Sequence, residues 1–271
     1  MIALDIDGTM IGEDRVVKPD LVKAIARIQA KGAIVSIATG RPRDPALAVA
    51  EHSGSLGPVI CFQGAMTFDQ TTHKILRHVS LDENVAIKAI EELLANVSEV
   101  MMFLGDHVWV QRRSEWISNY GERMGLNIRE VEYLESLAGN RPTAIVGVGQ
   151  PEVVGQLAAK MRRRLRRTAL VTHSLPMLCE IEAIGAGKDL AIAHLAETMG
   201  IASANVIAVG DGKGDQSMIE WAGLGVAVTG GHPDTVRVAD MVIEAPEQSG
   251  LANFLERLCD QEKIAGYSKP R

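Results

Sequence analysis

Residues 1–9 read Met1-Ile2-Ala3-Leu4-Asp5-Ile6-Asp7-Gly8-Thr9. The apolar run Met1–Leu4 predicts a short buried strand, and Asp5 and Asp7 emerge where that strand opens into a loop. Residues i and i+2 of a strand point the same way, so the two carboxylates share one small volume. Carboxyl ends of strands are where open α/β sheets hold their ligands. Crowded carboxylates repel unless a cation or a proton sits between them, and either outcome is chemistry. A calcium loop would need Glu at its twelfth position; counting from Asp5, that position is Val16. The remaining bland reading is an Asp-Gly turn.

Outward from this stretch, strand and helix alternate. Leu21, Ala24, Ile25 and Ile28 mark one face of a helix over 18–31. A buried strand over 33–38, a helix over 45–51 and a strand over 58–62 follow. This βαβαβ run predicts a parallel sheet with right-handed crossovers. Residues 65–79 read as a hairpin with a polar tip at 69–73. The middle changes character: helices over 83–96, 114–124 and 151–167 mix with strands over 100–104, 108–111, 143–147, 169–172 and 177–182. From Lys188 the alternation returns, with helices over 188–199, 215–222, 233–238 and 249–262 and strands over 206–209, 224–228 and 241–243. The expected fold class is α/β: a Rossmann-like parallel-sheet core from 1–80 plus 185–271, with a smaller α+β domain inserted over 81–184.

Composition narrows the function classes. The chain has 271 residues, enough for one large domain or two ordinary ones, and 46% of them are apolar. A net charge of −6 argues against a general nucleic-acid binder, which needs a basic surface. No apolar run reaches bilayer-spanning length. An opening strand in place of a leader predicts no secretory signal. Cys61, Cys179 and Cys259 are odd in number and widely spaced, which suggests a reducing compartment. A cytoplasmic enzyme is the expectation; oligomeric state is not legible.

Three further features fall at strand ends or a helix start. Ala38-Thr39-Gly40-Arg41-Pro42 offers a hydroxyl and free N–H groups before a helix, as an anion site would; a capped turn is the plainer reading. Gly185-Ala186-Gly187-Lys188 suggests a nucleotide phosphate loop, but Glu182 and Asp189 occupy positions that require Gly and Ser or Thr. What remains is a Lys at a helix N-terminus, where a cation opposes the dipole and a bound anion would account for it. Val209-Gly210-Asp211-Gly212-Lys213-Gly214-Asp215 places two more acids on a glycine-rich loop. Hard oxygen ligands of this kind suit magnesium, and the seven His show no zinc-ligand spacing. The basic run 160–167 overlaps an apolar stripe of Val154, Leu157, Met161 and Leu165, which puts its charges on a solvated face. Gly147-Val148-Gly149 lacks the third glycine of a dinucleotide turn.

The order and spacing of these motifs resemble the haloacid dehalogenase-like superfamily, most closely its Cof-type phosphatases of subclass IIB with a C2-type cap. The resemblance spans almost the whole chain, including Ile60–Ala65 and Ala222–Ala227. It implies that Asp5 is the nucleophile and Asp7 the general acid/base, with Thr39 and Lys188 completing the catalytic set. It implies Asp5, Asp7, Asp211 and Asp215 around Mg²⁺, and Thr39, Gly40, Arg41, Gln63 and Gly64 near substrate. Three positions depart from the family pattern: Gly214 and Gln63 where Asn is usual, and Asp189 where Gly is common. The implied function is magnesium-dependent hydrolysis of small phosphomonoesters, such as sugar phosphates or phosphorylated cofactors, through an aspartyl-phosphate. A phosphomannomutase-like sugar phosphomutase and a non-catalytic ligand-binding protein on the same fold are the alternatives.

Overall fold

In the computed structural model, which describes residues 1–173 and 175–260, the chain forms two compact units: Met1–Leu76 with the chain from Gly187 onward, and Arg77–Ala186. In chain order the first contains β1 (Ile2–Leu4), α1 (Pro19–Ala30), β2 (Val35–Ala38), α2 (Arg43–Ser53), β3 (Val59–Cys61) and β4 (Met66–Phe68). Strand β5 (Ile75–His78) leads into the second unit. That unit comprises α3 (Glu83–Leu94), β6 (Glu99–Leu104), β7 (His107–Val110), α4 (Glu115–Met124), β8 (Ile128–Glu130), β9 (Ala144–Val148), α5 (Pro151–Arg164), β10 (Ala169–Thr172) and β11 (Leu178–Ala183). The first unit resumes with α6 (Lys188–Thr198), β12 (Ile207–Gly210), α7 (Gln216–Trp221), β13 (Leu224–Val228), α8 (Pro233–Val238), β14 (Met241–Ile243) and α9 (Gly250–Asp260).

The first unit is an α/β fold. Its sheet runs β14-β13-β12-β1-β2-β3-β4-β5, parallel from β14 through β3, with β4 antiparallel to β3. The order reverses at β1, which pairs β2 on one side and β12 on the other. All three β1 residues are buried, as expected of a parallel strand covered on both faces. Ala191, Ile192, Leu195 and Ala196 of α6 pack with Met218 and Ile219 of α7 on Ala3, Ala38, Ile60 and Ala208. Helix α1 buries Leu21, Ala24, Ile25 and Ile28 and packs against α9. Register sets the site: Leu4 lies level with Ile37 and Val209, so the chain leaves β1, β2 and β12 at one end of the sheet.

The second unit is a six-stranded sheet, β10-β11-β9-β6-β7-β8, antiparallel except for β7 with β8. Helices α3 and α5 bury Ile90, Leu93, Val154, Leu157 and Met161 against Val100, Met102, Ile145, Cys179 and Ile181. The basic run lies on the polar side of α5, where Lys160 and Arg164 both pair with Glu92 of α3. Helix α5 ends at Arg164, short of the expected 167, because the Leu165 carbonyl accepts from Thr168 and Ala169 in a tight turn. Strand β8 and the 3₁₀ segment Leu134–Asn140 were not expected from the sequence. Expected helix 249–262 is seen as α9 to Asp260; its last two positions lie outside the described residues. All three cysteines are free and buried, and burial pushes the Cys61 and Cys179 thiols up, the latter to about 12. No helix among the described residues is long and apolar enough to cross a membrane.

Candidate active site

Asp5 follows β1 directly, its N–H donating to Val209 O at 3.0 Å, and its side chain is buried. Facing it is Lys188, the first residue of α6, with 4% of its surface exposed. The Lys188 ammonium donates to Asp5 Oδ1 at 2.6 Å and to Asp215 Oδ1 at 2.5 Å. Asp215 is held on its other side: Oδ2 accepts from the N–H groups of Asp211 at 3.1 Å and Gly212 at 2.9 Å. This one carboxylate therefore folds the glycine-rich loop back on itself and aims the ammonium at Asp5.

Asp211 completes the group. Oxygens of Asp5, Asp211 and Asp215 lie within 4.8 Å of one another. Thr9 donates its hydroxyl to Asp211 Oδ1 at 3.0 Å, a contact that sequence reading missed although Thr9 stands in the opening motif. Gly8, at φ +84°, passes so close to Asp211 that a Cβ there would lie 2.3 Å from Oδ2, so this turn admits glycine alone. Burial, then repulsion from Asp215, raises Asp5 well above the usual carboxylate range despite Lys188. The same two causes push Asp211 to about 6. Lys188 itself is raised: burial opposes its charge, but Asp215 and Asp5 outweigh burial. Three acids against one buried ammonium leave a negative excess, held on hard oxygens. A small divalent cation such as Mg²⁺ fits that donor set.

Asp7 lies apart from the three. Its side chain is 62% exposed and bound by Arg41, Nε to Oδ2 at 2.8 Å and Nη2 to Oδ1 at 2.6 Å. The expected metal-binding carboxylate of Asp7 thus stands outside the acidic cluster, because its two oxygens face the guanidinium. Arg41, expected to face substrate, binds Asp7 in this structure.

Thr39 is 1% exposed at the tip of β2. Its N–H donates to Ile60 O at 2.9 Å, and its Oγ1 accepts from Arg41 N at 3.1 Å. The hydroxyl proton of Thr39 has no acceptor among the described residues, so it is available to an anion. After β3, Phe62, Gln63 and Gly64 take φ values of 50°, 52° and 96°. Gly64 abuts the chain before Lys188; a Cβ there would lie 2.2 Å from Gly187 O. Gln63 and Gly40 are neighbours through the Gln63 amide. The first unit thus gathers every expected site residue, with a buried carboxylate beside a buried ammonium and an acid/base candidate on the adjoining loop.

Residues 2–255 match a family model described as haloacid dehalogenase-like hydrolase. A phosphoglycolate phosphatase of Methanopyrus kandleri is 28% identical over 261 residues, covering 96% of this chain and 97% of that protein. A pyridoxal phosphate phosphatase of Escherichia coli is also 28% identical, over 277 residues, covering 94% of this chain and 97% of its own. A haloacid dehalogenase-like hydrolase from Bacteroides thetaiotaomicron shares the fold at a TM-score of 0.84, with 23% identity across 95% of this chain and 98% of that one. With the family model spanning nearly the whole chain and full-length relatives that are phosphatases, this chain belongs to the haloacid dehalogenase-like hydrolases, in their Cof-type branch.

Proposed function

We propose that the chain is a magnesium-dependent phosphatase of small phosphomonoesters, with sugar phosphates and phosphorylated cofactors as its substrate class. The observation that carries this reading is Lys188 held between Asp5 and Asp215 beside the anion-ready hydroxyl of Thr39. Asp5 attacks phosphorus through its carboxylate oxygen: the O–P bond forms, the ester P–O bond breaks, and Asp7 gives a proton to the departing alcohol. Water then attacks the aspartyl-phosphate, Asp7 takes its proton, and Asp5 leaves phosphorus. Arg41 orients Asp7 and must yield one of its oxygens to the leaving group. Thr39 donates to a phosphoryl oxygen, and Lys188 offsets the charge gathering on the transferring group. Asp5, Asp211 and Asp215 would hold Mg²⁺, which adds positive charge where phosphoryl oxygens accumulate negative charge.

The named full-length relatives act on phosphoglycolate and pyridoxal phosphate, both small phosphomonoesters, which supports the size of the substrate. The core residues account for phosphate and not for the leaving group. The inserted segment, expected over 81–184, is therefore proposed as the cap that selects the leaving group and excludes water. The test is phosphate release from a panel of sugar phosphates, phosphorylated cofactors, nucleotides and phosphopeptides, with Mg²⁺ and with excess chelator. Release from small esters that chelator abolishes is expected. Equal release with chelator, or from none of the esters, overturns the proposal.

A further inference from the structure

The turn that follows β3 is built at a cost. Phe62 and Gln63, neither of them glycine, both adopt left-handed backbone at φ 50° and 52°. The loop after β2 holds them there: Phe62 N–H donates to Arg41 O at 3.0 Å and Gln63 N–H to Thr39 O at 3.1 Å. The result is a side chain thrown between two glycines of two different loops. A Cβ on Gly40 would lie 2.4 Å from Gln63 Nε2, and one on Gly214 would lie 3.1 Å from Gln63 Oε1. Gly40 adjoins Thr39, and Gly214 adjoins Asp215, the carboxylate that aims Lys188. Gln63 and Gly214, two of the positions that depart from the family pattern, are thus neighbours in space.

The Gln63 side chain is 7% exposed, yet its amide makes no hydrogen bond to any described residue. Neither amide atom is among the sealed, unpartnered polar atoms, so both edges of the amide reach accessible space and are open to a ligand. One edge donates and the other accepts. An ammonium would satisfy only Oε1, and a carboxylate only Nε2. A hydroxyl satisfies both, since it donates and accepts. We propose that Gln63 is a specificity-determining residue whose amide sits in a seat kept open by Gly40 and Gly214 and selects phosphomonoesters that carry a hydroxyl close to the ester. This rests on the phosphatase reading above and names its substrate class more narrowly.

The test compares glycerol 3-phosphate with n-propyl phosphate, which has the same carbon chain and no free hydroxyl. Wild type, Gln63→Ala, Gly214→Asn and the double variant are assayed for phosphate release and for thermal unfolding. Gln63→Ala is expected to lose about tenfold in kcat/KM on the glycerol ester, the worth of roughly one well-made hydrogen bond, and about twofold or less on the propyl ester. Gly214→Asn displaces the amide and should show the same selective loss. In the Gln63→Ala background it should cost far less, in selectivity and in melting temperature, because the seat is already empty. Equal losses on both esters, or Gly214→Asn effects that simply add to those of Gln63→Ala, overturn the proposal. Absence of phosphate release by the wild type sinks the phosphatase reading instead. The melting-temperature cycle then still judges the seat, and additive shifts reject it.

Discussion

Replacing Lys188 by Met keeps most of the side-chain length and deletes the ammonium. The structure sets the consequence: Lys188 is 4% exposed, with carboxylate oxygens at 2.6 and 2.5 Å. Removing one partner of a buried ion pair typically costs about 3–5 kcal/mol. At roughly 2–4 °C per kcal/mol, the expected fall in melting temperature at neutral pH is ~6–20 °C. The deficit should depend on pH with a defined sign. A carboxylate whose folded-state pKa lies above its unfolded value favours folding at low pH and loses that contribution as pH rises through the folded value. Asp5 is already raised and Asp211 stands at about 6; without Lys188 both move higher. The variant should therefore approach wild type near about pH 5 and show its full deficit near about pH 8. Mg²⁺ should restore part of the loss by replacing the missing charge. Phosphatase kcat should fall by ~10³ or more, beyond the loss of one neutral oxyanion donor. Adding Asp215→Asn to Lys188→Met should recover stability without recovering activity. Thermal melts across pH, with and without Mg²⁺, read all of this. A deficit of the same size at every pH would refute the electrostatic account.

Asp5→Asn keeps the shape of the proposed nucleophile but removes its charge, and turnover should drop by at least ~10³ while the fold is retained by circular dichroism. Asp211→Ala should abolish activity or raise the Mg²⁺ concentration needed for half-maximal turnover, whereas an unchanged requirement would remove Asp211 from the metal site. Glu182 of β11 is buried with an Oε2 that has no partner among the described residues, and burial followed by Glu180 raises its pKa well above normal. It therefore favours folding at low pH and loses that contribution as pH rises, so Glu182→Gln should melt higher than wild type at alkaline pH and converge with it in acid. Identical pH profiles for the two proteins would show that Glu182 is not the titrating group.

The opening stretch carried most of the fold because its constraints are local. An apolar strand too short for any other element ends in two acids, and the tips of β2 and β12 add Thr39 and Asp211. What the sequence did not disclose depends on contacts between distant segments. Nothing local says that Arg41 will bind Asp7, since the pair forms only after β1 and β2 lie side by side. Nor does anything local announce the positive φ of Phe62 and Gln63, which they hold because Arg41 and Thr39 supply carbonyls. Asp215 looked like one more metal ligand; its grip on Lys188 and on two backbone N–H groups became visible only when the loop closed. Strand β8 is three residues long and mostly exposed, so it shows no alternation to read.

The central place of β1 has a consequence for synthesis of the chain. β1 pairs β2 nearby in sequence, but Ile2 of β1 also pairs Ile207 of β12. Ribosomes add about 5–20 residues per second, so one edge of β1 waits roughly 10–40 s for its partner. Through that interval an apolar edge stands unpaired, the kind of edge that recruits other chains. The Arg77–Ala186 unit is continuous and pairs its strands within itself, so it can form while the other unit is still being made. Placing Asp5 at the tip of a central strand whose second partner, β12, follows about 200 residues later makes assembly of the Asp5–Lys188–Asp215 cluster a late event in synthesis.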